Sequence, residues 1–229
     1  ALNENYNLSK AQLKNKIMNS STKPYNEYFV QLLQNARETM EDFHLIDEKF
    51  NSKISQSLFA LFDGHGGVDV ASKLKTDLSY VFNKALNNTK DNRNDKENIE
   101  NAIKQTFRKL DEDILKLYTP EMKFETTKFV SLGSTCTMLY IVKEKEHSLY
   151  CANVGDSRGV LISKSGATRI TYEHKPSDEF ENKRVKDSGG VIFGGRIFGQ
   201  FSLTRAFGDA ALKKWVIAEP FIKKINIIT

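Results

Sequence analysis

The chain contains, at residues 57–67, the stretch SLFALFDGHGG, from which the surrounding sequence can be interpreted. The run from Leu58 to Phe62 is continuously apolar, which predicts a buried strand, and the glycine-rich end from Asp63 to Gly67 predicts a tight turn. Beyond the turn, apolar residues recur at helical spacing: Val68, Ala71, Leu74, Leu78, Val81, Phe82 and Leu86. The segment is therefore predicted to form a strand, a turn and a helix.

The rest of the chain predicts more strands than helices. A second helix is indicated by one apolar stripe, formed by Ile99, Ile103, Phe107, Leu110, Ile114 and Leu117. Strands are predicted at 28–33, 135–142, 148–154, 159–163, 167–171 and 221–228, and the short connections in the middle of the chain favour an antiparallel meander. A short helix with Ser177 as its N-cap is predicted after the meander. This order of elements indicates an α+β layered domain.

The bulk composition bounds the possibilities. With 229 residues, 39% hydrophobic and 28% charged, the chain is long enough for one sizeable core and is typical of a globular protein, and no apolar run is long enough to span a bilayer. Cys136 and Cys151 lie in strand-like runs, which predicts buried free thiols in a reducing compartment, and hence a cytoplasmic or nuclear protein. The net charge of +5 is scattered without a basic stripe, so we expect neither a nucleic-acid partner nor a membrane partner.

Chemistry is most strongly indicated at the end of the 57–67 stretch. A carboxylate at the end of a buried strand, Asp63, is held rigidly, and the glycines allow the backbone and the Gly64 carbonyl to approach a ligand. His65 adds a group that exchanges a proton near neutral pH. On spacing alone, the alternative that Asp63 simply caps the following helix is equally favoured.

Three further segments carry candidate residues. Arg37 precedes Glu41 and Asp42, a combination in which an Arg fork suits phosphate and the carboxylates suit a divalent cation, although a solvated face is the commoner explanation. Asp156 and Asp209 each lie in Gly-Asp sequences, for which a turn is the default interpretation. The chain has no Cys-to-Arg phosphate loop and no glycine-rich Lys-Ser/Thr loop, which excludes a cysteine phosphatase and a P-loop NTPase.

Taken in order, these segments resemble the type 2C family of metal-dependent protein serine/threonine phosphatases. The matching blocks are RETMED at 37–42, FDGHGG at 62–67, GST at 133–135, NVGDSR at 153–158, EHKP at 173–176, TRAFGD at 204–209 and EP at 219–220. The resemblance covers nearly the whole chain. It implies an antiparallel β-sandwich flanked by helix pairs, in a single domain over residues 1–229 with a flap segment at about 176–199.

The resemblance also implies residue roles. Two Mn²⁺ or Mg²⁺ ions would be bridged by Asp63, with the Gly64 carbonyl and Glu41 completing part of their shells, directly or through water. Asp42 would lie behind the direct ligands or bind through water. Asp156 matches a residue at a third, weaker metal site. Arg37 would hold the phosphate of a phosphorylated protein substrate, and His65 would give a proton to the leaving seryl or threonyl oxygen.

The chain departs from the family pattern at its C-terminus. The family continues with an Asp-Gly-x-Trp-Asp-like motif and an Asp-Asn pair that supply further metal ligands, and nothing here matches them. We therefore expect a domain that lacks its C-terminal strands, binds metals weakly, is inactive or weakly active alone, and self-associates through exposed sheet edges. The rival hypothesis is a non-catalytic phosphatase-like module that binds phosphoproteins or regulates a partner.

Overall fold

The computed structural model describes residues 30–34, 36–52, 55–88, 96–117, 132–143 and 147–227. Internal contacts divide the chain into two units, Ala1–Asn35 and Ala36–Thr229. In the first unit, residues 30–34 form neither helix nor strand, so the strand predicted at 28–33 is not formed over its described part. The segment before Pro24, in which apolar residues recur at a loose helical spacing, lies outside the described residues. The second unit carries all the elements discussed below.

The second unit contains eleven strands and three α-helices over its described residues. The strands are β1 Asp42–Asp47, β2 Gln56–His65, β3 Gly133–Ser134, β4 Cys136–Lys143, β5 His147–Val154, β6 Val160–Ser163, β7 Gly166–Arg169, β8 Ile192–Phe193, β9 Arg196–Ile197, β10 Phe207–Gly208 and β11 Phe221–Ile227. The helices are α1 Asp69–Asn88, α2 Lys96–Leu115 and α3 Glu179–Asp187, with short 3-10 turns at Phe50–Ser52 and Ala210–Leu212.

A seven-stranded antiparallel sheet forms the centre of this unit. Its strands run in the order β10-β3-β2-β4-β5-β11, and β1 pairs with the free edge of β2. Strand β2 is the longest and has neighbours on both sides: β1 pairs with Leu58–Asp63, whereas β4 pairs with Gln56–Leu61 and β3 with Gly64 and His65. The C-terminal end of β2 is thus held by short strands from two other parts of the chain.

The core lies between one face of this sheet and the two long helices. Alternate residues of β4, Met138, Tyr140 and Val142, point to this face and are buried against α1 and α2, as expected for a strand whose side chains alternate between faces. The helices bury the stripes predicted from the sequence, with two exceptions. Val68 precedes α1 and Leu117 follows α2, and both are exposed because neither belongs to a helix.

The opposite face of the sheet is covered by the β6–β7 hairpin. Leu139, Leu149 and Cys151, on the alternate positions of β4 and β5, form a small apolar cluster with Leu161 and Ile170 from the hairpin segment. The predicted α+β class, with an antiparallel sheet and flanking helices, is confirmed. Within the described residues, the second layer of the expected sandwich consists of this hairpin.

The predicted meander is wrong at its middle connection. Strands β4 and β5 pair as expected, but β6 does not continue the sheet, because β11 occupies the other edge of β5. The chain leaves the sheet at Gly155, whose φ of 92° is in the left-handed region, and β6 pairs only with β7. Short connections favour antiparallel neighbours, but the turn at Gly155 redirects the chain to the other layer.

The short helix α3 begins one residue later than its predicted cap implied. Asp178, rather than Ser177, is the N-cap, and its carboxylate accepts a hydrogen bond from the Glu181 amide at 3.1 Å. After the helix, Gly189 takes a positive φ of 82° and its amide donates to the Lys186 carbonyl, as is common where a glycine ends a helix.

Both cysteines are buried and free, as predicted. Burial raises the pKa of the Cys136 thiol far above its usual value and raises that of Cys151 to about 12. Among the helices of the described residues, none is long and apolar enough to cross a bilayer.

Candidate active site

Two carboxylates face each other at the end of the β1–β2 ladder. Asp42, the first residue of β1, is the register partner of Asp63 in β2. Side chains of directly opposed residues have Cβ atoms about 5 Å apart, so two like charges there destabilise the ladder. Asp63 is not a helix cap, because β2 continues to His65 and α1 begins only at Asp69. The capping alternative is therefore wrong, and the strand itself positions the carboxylate.

The electrostatic environment of Asp63 is dominated by other acids. Partial burial of the carboxyl group and the nearby charges of Asp42 and Asp156 raise the pKa of Asp63, although the residue as a whole is exposed, and His65 and Arg37 partly oppose this effect. The structure thus brings together residues from three separate sequence blocks. Their shared feature is an excess of negative charge around Asp63.

Glu41 and Gly64 are in direct backbone contact. The Gly64 amide donates a hydrogen bond to the Glu41 carbonyl at 3.2 Å, and a Cβ at Gly64 would lie only 2.6 Å from that oxygen. Only glycine allows this approach of β2 to the segment before β1. The Glu41 side chain accepts a hydrogen bond from the Thr39 hydroxyl at 3.2 Å. Arg37 and Glu41 both precede β1, which begins at Asp42.

His65 is paired with a buried acid that the sequence interpretation had placed in an ordinary turn. Its Nε2 atom lies 2.9 and 3.0 Å from the two carboxylate oxygens of Asp209. Burial lowers the pKa of His65, but the hydrogen bond and charge of Asp209, together with the charges of Asp63 and Glu41, outweigh it and leave the pKa above its usual value. The ring also contacts the Phe201 ring edge-on, with centroids 5.4 Å apart.

Asp156 lies in the turn that follows β5 and makes an ion pair with a lysine. The Lys175 ammonium is 3.2 Å from Asp156 Oδ2 and 3.8 Å from Glu173 Oε2. Behind this turn, the Gly155 carbonyl accepts hydrogen bonds from the backbone amide of His174 at 3.0 Å and from its Nδ1 atom at 3.1 Å. The EHKP block therefore fixes the turn that carries Asp156.

The donor set agrees in kind with a divalent cation site. Carboxylates and a backbone carbonyl are the hard oxygen ligands that Mg²⁺ and Mn²⁺ prefer, and the mutual repulsion that raises the pKa of Asp63 is relieved by a cation. Among the described residues, no three Asp, Glu, His or Cys side chains already converge as a complete metal-binding group. The residues present fit a divalent cation in chemistry and charge, but they form only part of a coordination shell.

Comparison with known proteins shows which family shares these features. A family model described as Protein phosphatase 2C matches residues 26–228, which is most of the chain. The chain belongs to the protein phosphatase 2C family.

Relatives in this family cover the chain well. The chain is 30% identical over 209 residues to "Protein phosphatase 2C homolog 1" of Saccharomyces cerevisiae, in an alignment that covers 83% of the chain and 68% of the relative. It is 33% identical over 212 residues to "Probable protein phosphatase 2C 2" of Paramecium tetraurelia, covering 85% of the chain and 66% of the relative. Among solved structures, a Caenorhabditis elegans sex determining protein superimposes with a TM-score of 0.74 at 26% identity, covering 87% of the chain and 48% of that protein. This protein phosphatase 2C chain spans from about half to two thirds of the length of the curated relatives it matches.

Several residues of the site were missed by sequence reasoning. Asp209, Gly133 and Phe201 surround His65, and Lys175 pairs with Asp156. Asp209, Gly133 and Lys175 lie in three of the blocks that carried the resemblance, which was the available signal for them. Phe201 gave none, because an aromatic residue in a loop is a common feature of surfaces.

Proposed function

We propose that this chain is the larger part of a phosphatase domain that hydrolyses phosphoserine and phosphothreonine in proteins. The observation that carries the proposal is the cluster around Asp63, in which acids from three separate blocks lie near one another and near His65. Membership of the protein phosphatase 2C family supports the same reaction. His65 is also paired with the fully buried carboxylate of Asp209. A cluster of charges on a solvated surface does not require such a pair.

Two Mn²⁺ or Mg²⁺ ions would be held by the Asp63 carboxylate, the Gly64 carbonyl and Glu41, with Asp42 bound through water and Asp156 at a third, weaker site. When bound, such ions supply a water of lowered pKa as the nucleophile and neutralise charge on the phosphate. These acids are the chain's own contribution to that site. Burial and the charges of Asp42 and Asp156 raise the pKa of Asp63, and this crowding of negative charge favours cation binding.

The other residues act on the phosphate and on the leaving group. The Arg37 guanidinium, which is close enough to Asp63 to lower its pKa, binds the phosphate oxygens. His65, which lies within electrostatic reach of Asp63 and Glu41, gives a proton to the seryl or threonyl oxygen as the P–O bond breaks. Without that proton the alcohol leaves as an alkoxide, which is a poor leaving group.

The test is release of phosphate from a phosphothreonine peptide in the presence of Mn²⁺. The assay compares this chain, a polypeptide that continues past Thr229, and the Asp63→Asn variant of each. We expect activity in at least the longer form and a loss of at least about a hundredfold in Asp63→Asn, because a carboxylate that would hold the metal ions is removed. Phosphopeptide binding without hydrolysis in every form would contradict the proposal and favour the non-catalytic module.

A further inference from the structure

The geometry of the pair formed by His65 and Asp209 is fixed more tightly than that of an ordinary histidine on a protein surface. The Asp209 side chain is fully buried, with 0% of its area exposed, and 26% of the His65 side chain is exposed. Both carboxylate oxygens approach the same ring nitrogen, Nε2, at 2.9 and 3.0 Å. A carboxylate accepts hydrogen bonds, so Nε2 carries the hydrogen and donates it. Nδ1 is the ring nitrogen that does not contact Asp209.

The backbone around Asp209 holds its carboxylate in place. Asp209 has φ 49° and ψ 47°, a left-handed conformation that Asp tolerates better than most residues. Its amide donates to the Leu132 carbonyl at 2.9 Å, which ties it to the start of β3. The amide of the preceding Gly208 donates to Asp111 of α2 at 3.0 Å, and Asp111 in turn accepts from Lys213 at 2.8 Å. Two separate elements therefore fix this residue.

Gly133 provides the space that the pair occupies. A Cβ built on Gly133 would lie 2.4 Å from His65 Nε2 and 2.6 Å from Asp209 Oδ2. Real Cβ atoms do not approach other atoms this closely, so any side chain at 133 would force the two groups apart. The glycine, the buried carboxylate and the ring are thus mutually adjusted, and the Phe201 ring closes the site from another side.

We propose that Asp209 is a positioning residue that binds His65 through Nε2 and so assigns Nδ1 as the nitrogen that protonates the leaving oxygen. This inference rests on the proposed function and adds to it the atom that delivers the proton and the residue that orients it. In the step, the water oxygen bonds to phosphorus and releases a proton to solvent while the P–O bond to the leaving oxygen breaks. That oxygen takes the proton from Nδ1, and the imidazole regains a proton from solvent.

The kinetic test compares two aryl phosphates whose leaving groups differ in their need for a proton. The nitrophenolate of p-nitrophenyl phosphate leaves readily without one, whereas phenyl phosphate has the poorer leaving group. The assay uses whichever polypeptide is active as wild type, and Asp209→Asn as the variant, since Asn also tolerates the left-handed backbone. We expect kcat for phenyl phosphate to fall at least about tenfold more than kcat for p-nitrophenyl phosphate, with KM for both nearly unchanged.

The matched control is Glu181→Gln, which neutralises another buried carboxylate that does not contact His65. We expect it to lower thermal stability and to leave the ratio of the two kcat values unchanged. An equal loss on both substrates in Asp209→Asn would overturn this proposal while leaving the proposed function intact. A wild type that hydrolyses neither the phosphothreonine peptide nor the two esters would contradict the proposed function itself, and this proposal with it.

A second measurement does not depend on any variant at Asp209. In wild-type protein with ¹⁵N-labelled imidazole rings, the His65 signals can be assigned because they disappear in His65→Asn, which leaves the other three histidines. We expect the hydrogen on Nε2 to be visible and protected from solvent exchange by the buried carboxylate. A protected hydrogen on Nδ1, or rapid exchange at both nitrogens, would overturn the assignment.

Discussion

Asp42 and Asp63 form a like-charge pair that works against the stability of the fold. They are register partners in the β1–β2 ladder, and the pKa of Asp63 is raised by its partial burial and by Asp42 and Asp156. A raised carboxyl pKa means that the folded state holds the proton more tightly than the unfolded state, so the ionised form is destabilising at neutral pH. The like-charge pair therefore lowers the stability of the fold, as expected of a ligand-binding site rather than of a structural contact.

We therefore expect Asp63→Asn to stabilise the metal-free protein while it abolishes activity. Opposed like charges destabilise by roughly 0.2–1 kcal/mol, which corresponds to a rise in Tm of about 1–4 °C for a domain of this size. The measurement is thermal unfolding at pH 7 with a chelator present. Asp47→Asn is the control in the same ladder, because the register partner of Asp47 is Leu58, which is uncharged. An unchanged or lower Tm in Asp63→Asn would show that the repulsion is not significant.

At this scale the sequence was informative about Asp63 and misleading about Asp209. Asp63 follows a buried apolar run directly, and the position of a residue at the end of a strand can be predicted from local pattern. The role proposed for Asp209 depends on its contact with His65, 144 residues away in the chain. Spacing within its own segment contains no information on that contact, so a turn was the reasonable local interpretation.

The helix α3 is anchored by a buried acid with two arginine partners. Glu181 accepts hydrogen bonds from Arg205 at 2.6 and 3.1 Å and from Arg184 at 3.0 Å, and its side chain is only 3% exposed. Burial would raise its pKa, but the two arginines outweigh that effect and lower the pKa of Glu181 to about 2. The interaction therefore joins the helix to the segment that leads to Asp209.

We expect Glu181→Gln to destabilise the protein by about 3 kcal/mol at pH 7, because the arginines lose their charged partner. The folded-state pKa is depressed, so the stabilisation is complete above the ordinary carboxyl pKa and is lost as pH falls through about 2. Urea unfolding at pH 7 and at pH 3 measures both effects, and the difference between wild type and variant should shrink at pH 3. Glu179→Gln, an exposed acid in the same helix, is the control. Equal losses in the two variants would contradict a special role for Glu181.

At the level of elements, prediction succeeded wherever a local pattern decides the structure. The two long helices follow the apolar stripes of the sequence, and β2, β4 and β5 follow the apolar runs. The pairing of β5 with β11 could not be predicted in the same way, because its partners are some 70 residues apart and the intervening segment forms α3 and several short strands. A short connection suggested β6 as the neighbour of β5, and the glycine at 155 decided otherwise.

The sheet as a whole leaves β11 with one unpaired edge among the described residues. Such edges pair readily with other chains unless charged side chains, lysine above all, discourage it. The strand carries Lys223 and Lys224 at its centre. We expect a Lys223→Gln and Lys224→Gln double variant to self-associate more strongly than wild type, measured by light scattering over a range of concentrations.

The control for this prediction is a Lys104→Gln and Lys109→Gln double variant. Both lysines lie on the exposed side of α2, and the change in net charge is the same, so the control separates the effect of net charge from that of the sheet edge. Lys109 also pairs with Asp113 on the surface of the helix, far in sequence from any strand of the described residues. Equal association of the two variants would mean that net charge, and not the edge of β11, controls the behaviour.

The burial of both thiols in the sheet makes the protein convenient for spectroscopy. Cys136 and Cys151 are nearly inaccessible and have strongly raised pKa values, so neither presents the thiolate that maleimide reagents attack. A single cysteine introduced in the exposed β6–β7 turn, by Ser165→Cys, would therefore take a fluorescent or spin label at one position without removal of the native cysteines. Distances from that label to a Mn²⁺ ion could then be followed directly in solution.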